Sequence, residues 1–149
     1  MRRICCILLG GVVLAAVFSG CGGGSSGGVT PATSPTGSSA ISTFSAAGYT
    51  PGGGALVTLA VTPPTGASAY AVQDGPPNGW TVSNISASGS YDAVNNLVKW
   101  GPFFDATKRT LQYTVTPPLG SSGTQQFAGV ASFDGSSIAI TGSRTFAKE

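Results

Sequence analysis

Cys21 is the side chain in this sequence best suited to covalent chemistry. It closes the run Phe18-Ser19-Gly20-Cys21, whose small neighbours leave the backbone accessible to an enzyme. A thiolate is the nucleophile. The other cysteines, Cys5 and Cys6, lie upstream in an apolar stretch. The usual catalytic sets are missing elsewhere. The chain has no histidine, so the commonest general base and metal ligand is absent. No Ser-x-x-Lys run offers a lysine base instead. A glycosidase needs two carboxylates flanking one bond, and Asp74, Asp92, Asp105 and Asp134 are scattered. Gly52-Gly53-Gly54 precedes a strand pattern rather than a helix, so it is no phosphate loop. These residues point away from an enzyme, and they name no catalytic residue, cofactor or metal site.

Binding chemistry is better represented. All four aspartates fall in expected turns, where the side chain bonds to its own backbone. A calcium site built from such oxygens is the lesser reading, because no D-x-D-x-D run is present. Trp80 and Trp100 alternate in step with Val82 and Val98, which assigns them to a core. Tyr91, Phe103 and Phe104 lie near turns and are the candidate ligand-binding residues, as platforms for a sugar ring.

The elements that position these residues begin with the leader. Arg2 and Arg3 precede an apolar run from Ile4 to Phe18, too short for a comfortable membrane span and the length of a signal-peptide core. With small residues before Cys21, the stretch resembles a bacterial lipoprotein signal. Ser19, Gly20 and Cys21 match that pattern, whereas Phe18 replaces the usual leucine. The resemblance implies cleavage after Gly20, acylation of Cys21 with chains such as palmitate, and a membrane partner reached through that lipid. Gly22 in place of aspartate implies sorting to the outer membrane or cell surface of the envelope, facing the extracellular side. Cleavage would leave Cys21 as the last cysteine, so the mature fold has no internal disulfide. It would also remove Arg2 and Arg3. Five basic residues then balance five acidic ones, which argues against a nucleic-acid partner.

Three parts follow: a signal peptide over 1–20, a lipidated cysteine and Gly/Ser/Pro-rich tether over 21–40, and a β domain over 41–149. The tether composition is that of a flexible coil with a root-mean-square reach of about 25 Å. In the domain, strands are expected at 41–45, 55–62, 68–73, 80–86, 97–100, 109–116, 125–133 and 137–145. Gly48–Gly54, Asp74–Gly79, Gly101-Pro102, Pro117–Gly120 and Asp134-Gly135-Ser136 are expected as turns or stops. That rhythm predicts an all-β, immunoglobulin-like two-sheet sandwich of about seven to nine short antiparallel strands, with a partly closed barrel as the competing architecture.

The order Tyr49-x-Pro51-Gly52, Ala69-Tyr70-Ala71-Val72, Pro77-x-Gly79-Trp80-Thr81-Val82, Val98-x-Trp100-Gly101-Pro102-Phe103, Arg109-Thr110-Leu111-x-Tyr113-x-Val115 and Ser132-Phe133-Asp134-Gly135 resembles an immunoglobulin-like accessory module of bacterial secreted and surface proteins. Gln73 departs from it, since an acidic residue is commoner there. The resemblance implies a non-catalytic structural or adhesive role through a protein partner. A carbohydrate-binding surface lipoprotein is the alternative.

Overall fold

The structure, a computed structural model, describes residues 35–149. Among them are thirteen strands and no helix: β1 (Ser39–Phe44), β2 (Gly48–Tyr49), β3 (Ala55–Thr62), β4 (Tyr70–Gly75), β5 (Thr81–Ser83), β6 (Ser90–Asp92), β7 (Leu97–Phe103), β8 (Arg109–Thr116), β9 (Thr124–Gln126), β10 (Ala128–Phe133), β11 (Ser136–Ala139), β12 (Thr141–Gly142) and β13 (Thr145–Lys148). One sheet has the order β12-β1-β3-β8-β5 and a second β11-β10-β4-β7-β6. A small third sheet, β2-β13-β9, closes one end. The molecule is the immunoglobulin-like β-sandwich that the turn rhythm predicts.

Alternation explains the pairing of the two large sheets. In β3, Ala55, Val57, Leu59 and Val61 point inward, and β8 opposes them with Val115, Tyr113 and Leu111 in antiparallel register. From the second sheet, Tyr70, Val72, Val98, Trp100, Ala131 and Phe133 meet this layer, all essentially buried. Both tryptophans lie in the core as expected. Trp100 also donates Nε1–H to the Ser86 carbonyl at 2.9 Å. Burying each large side chain contributes about 1.5–3 kcal/mol.

The strand count exceeds the expected seven to nine because tertiary contacts split or add short segments. Phe127 breaks 124–133 into β9 and β10 by turning into an aromatic cluster with Phe44 and Trp80. Gly48–Tyr49, expected as part of a turn, is a strand because β13 lies beside it. The pairings β1·β12 and β2·β13 are parallel, so the sandwich is not wholly antiparallel.

Candidate functional site

The outer face of the second sheet is dished. Residues whose neighbours point inward must point outward, which places Ala71, Gln73, Lys99, Val130, Ser132 and Ser137 on this face. Register brings Ala71 opposite Ser132, Ser132 opposite Ser137, and Gln73 between Lys99 and Val130. Ala71 and Ser132 are too small to fill the surface, and a depression of about 300 Å³ forms over them. A second depression of about 160 Å³ shares Ala71, Pro102 and Ser132 and continues to Asp134 and Gly135. Together they make one groove along β4, about 13 Å long from Gln73 to Ala69. Lys99 banks one side, its Nζ 2.6 Å from Asp92. That ion pair, with an Asn95 hydrogen bond, holds the Asp92 carboxyl below the usual carboxylate range.

The same bank continues along β7 into a β-bulge, and β10 with β11 forms the opposite side. Tyr70 pairs with Phe103 and Val72 with Trp100, so β7 carries one residue more than β4 across this interval. Gly101 takes φ +95° there, and a Cβ on it would come within 2.9 Å of the Tyr70 carbonyl oxygen. Only glycine accepts that conformation without strain. Gly101-Pro102, expected to end the strand, therefore sits inside it. The extra residue also reverses the facing of Phe103, which packs against the Tyr70 ring with centroids 5.0 Å apart.

Beyond Phe103 the chain enters a clamped loop. Asp105 accepts both Arg109 Nη1–H and Nη2–H, at 2.8 and 2.9 Å, and also the Thr107 amide at 2.8 Å. The guanidinium carbon lies 4.1 Å from the Phe103 ring centroid. Arg109 also donates to the Tyr70 hydroxyl at 2.6 Å, which in turn donates to the Thr107 carbonyl at 2.8 Å. Bonding to Arg109 pushes the Asp105 carboxyl down, and Asp105 raises Arg109 in return. Burial pushes the Tyr70 phenol up, with Arg109 opposing.

The three aromatic candidates are placed differently. Tyr91 lies opposite Val98, near the start of the strand that Phe103 ends, so these two do not form one platform. The Tyr91 hydroxyl donates to Asn96 Oδ1 at 2.7 Å. Phe103 is half-buried under Arg109, and Phe104 is 80 % exposed. Cys21 lies outside the described residues.

Two aspartates, Asp92 and Asp105, bond to their own turns as expected, whereas Asp134 sits in a turn but reaches a distant segment. Asp92 accepts the Val94 and Asn95 amides, Asp105 the Thr107 amide, and Asp134 the Ser68 and Ala69 amides. Asp74 serves no turn. It is fully buried in β4, where it accepts Tyr113 Oη–H at 2.8 Å and pairs with Arg144. Burial, then the nearby Asp74 charge, drives the Tyr113 phenol far above its ordinary range. A Cβ at Gly129 would collide with the Asp74 carboxylate. This cluster ties β4 to β8 and to the segment before β13. The signal for it was parity: Tyr70, Val72 and Asp74 share one face. No group of three or more potential metal ligands occurs among the described residues. The groove offers a floor of small side chains, an amide and an ammonium, which suits binding.

No family model and no curated protein matches the chain. Solved structures do resemble it in fold. A chain of a type II cohesin–X-dockerin complex from Acetivibrio cellulolyticus superposes with a TM-score of 0.51 at 10 % identity, over 75 % of this chain and 99 % of that one. The human F-spondin reeler domain superposes with a TM-score of 0.51 at 18 % identity, over 77 % and 90 %. An uncharacterized Nocardia farcinica protein, described as having an immunoglobulin-like fold, gives 0.41 at 18 % identity, over 66 % and 82 %. For the first two, at these identities, the likeness is one of fold.

Proposed function

We propose that this protein is a lipid-anchored, non-catalytic interaction module of the cell envelope. In this reading Cys21 is acylated after cleavage, the stretch before Pro35 acts as a tether, and the sandwich, whose first strand takes in Ser39 and the buried Ala40 that the composition assigns to the tether, contacts a protein partner. The observation that carries the interaction role is the groove along β4: a neutral floor of small side chains, flanked on the β7 side by Lys99 and Pro102, fits an extended chain laid parallel to the strand. The anchor rests on the Phe18–Cys21 run. Two or three acyl chains, at about 0.8 kcal/mol per buried CH₂, hold a protein firmly.

Intact mass and detergent partitioning of the mature protein test the anchor. The expected product begins at Cys21, carries acyl chains and enters the detergent phase, and Cys21→Ala abolishes all three. A freely soluble product with an unmodified thiol overturns the placement. For the groove, Ala71→Arg fills the floor without touching the core, and partner capture is expected to fall with that variant. The alternative, a carbohydrate-binding lipoprotein, draws on the exposure of Phe104. Glycan binding that survives Ala71→Arg and is lost in Phe104→Ala would favour it.

A further inference from the structure

We propose that the end of the sandwich where β1 begins faces a lipid surface, with Phe104 as its apolar contact; this rests on the anchoring reading above. The placement follows from register. Ser39, the first residue of β1, pairs with Thr62, and the adjacent Val61 pairs with Arg109, the first residue of β8. The loop 104–108 therefore lies at the end where the chain from Cys21 arrives. Eighteen positions separate Cys21 from Ser39. Of these, Pro35 to Ser38 form a hydrogen-bonded turn, and a Gly/Ser-rich coil of the remaining length is expected to reach about 20 Å, short of the eight-residue strand β3, about 27 Å. The Ser39 end is held near an anchored lipid, whereas the opposite end meets it only if the tether runs back past the whole sandwich.

What that end presents suits an interface. Phe104 is 80 % exposed, and its loop is fixed on both sides by Asp105, Arg109 and the Tyr70–Thr107 bond. An apolar side chain held on a fixed loop has little ordering left to lose on contact. Lys108, exposed four positions on, supplies an ammonium for headgroup phosphates. The two acids nearby are already engaged: Asp105 with Arg109, and Asp134 with the Ser68 and Ala69 amides. The opposite end also exposes apolar residues, Val94 and Leu119. They are the internal control, since they sit on turns at the end remote from Ser39.

The test uses the full mature lipoprotein in vesicles of phosphatidylethanolamine and phosphatidylglycerol, with and without brominated acyl chains. Tryptophan emission is compared for Phe104→Trp and Leu119→Trp against the unsubstituted protein, whose Trp80 and Trp100 are buried. The expected result is a blue shift and several-fold stronger bromine quenching for Phe104→Trp, with Leu119→Trp unchanged from water. If intact mass shows acyl chains on Cys21 and the two variants quench alike, the orientation is wrong and the anchor stands. If Cys21 is unmodified, both readings fall. Emission at Phe104→Trp that responds to a soluble glycan and not to lipid also overturns the proposal.

Discussion

An aspartate, an arginine and a tyrosine meet twice in this domain. In the core, Asp74 accepts from Tyr113 and pairs with Arg144; at the Ser39 end, Asp105 pairs with Arg109, which donates to Tyr70. The residue types are the same, but the bonding and the setting differ: Tyr113 donates to its aspartate, whereas Tyr70 accepts from its arginine and donates to the Thr107 carbonyl. Asp74 has no exposed side-chain surface and Arg144 keeps 17 %, whereas Asp105 and Arg109 keep 42 % and 26 %. In the first cluster, removing one partner strands a charge in low dielectric. In the second, water replaces what is lost. The comparison separates two uses of one constellation: one fastens the sheets to each other, and the other shapes a surface loop.

The largest break is Arg144→Met. It leaves the Asp74 carboxylate buried beside Tyr113 alone, and the expected loss is about 3 kcal/mol, a fall in Tm on the order of 10 °C. Adding Asp74→Asn to Arg144→Met recovers part of that loss, because a neutral amide needs no counter-charge. If the double variant is no more stable than the single one, stranded charge is not the cause. Tyr113→Phe follows, at about 2 kcal/mol for a hydrogen bond to a charged group. Its pH dependence gives the sharper reading. Burial raises the folded phenol above its unfolded value, so its contribution is complete below about pH 10 and is lost as pH rises beyond that. Urea midpoints at about pH 8 and about pH 11 should differ less in Tyr113→Phe than in the unsubstituted protein.

Ser42 gives a smaller contrast inside the same core. Its hydroxyl is buried on β1 and has no hydrogen-bond partner among the described residues. Unlike Asp74, it gains nothing to offset its desolvation, so Ser42→Ala should raise stability by about 1 kcal/mol. Calorimetry showing a lower Tm would mean that the hydroxyl is satisfied in solution.

The parts of the fold that were legible in the sequence are those decided by local alternation. The strands over Ala55–Thr62 and Arg109–Thr116 match their expected bounds, and both tryptophans are core residues because they keep parity with valines. Features decided by a partner strand were not legible. The bulge at Gly101-Pro102 exists because β4 continues opposite it, so a stop signal became a bank of the groove. The groove itself depends on Ala71 coming into register with the hairpin that carries Ser132 and Ser137, far away in sequence. Gly75-Pro76, directly after Asp74, marks that aspartate as a turn residue by composition. Carrying the Tyr70–Val72 parity one step further places it inward, and Arg144, isolated in an otherwise uncharged stretch, was available as its partner. Composition favoured the turn, and tertiary pairing overruled it.

The smallest expected effect tests the surface cluster. Asp105→Asn removes the charge that Arg109 meets, yet both groups stay hydrated, so Tm should hardly move. The local consequence should be visible. Without its carboxylate, the loop loses one of the two Arg109 bonds and weakens its hold on the Thr107 amide, so hydrogen exchange at that amide should quicken. Acid should do the same to the unsubstituted protein, but late. Arg109 depresses the folded Asp105 carboxyl, so the hold is complete above the ordinary aspartate value and is lost only as pH falls through the lowered one. Thr107 exchange in the unsubstituted protein should therefore stay slow, after allowing for the pH dependence of the exchange chemistry, until well below about pH 4. If Asp105→Asn instead lowers Tm as far as Arg144→Met does, burial is not what separates the two clusters, and the loop that presents Phe104 belongs to the folding core.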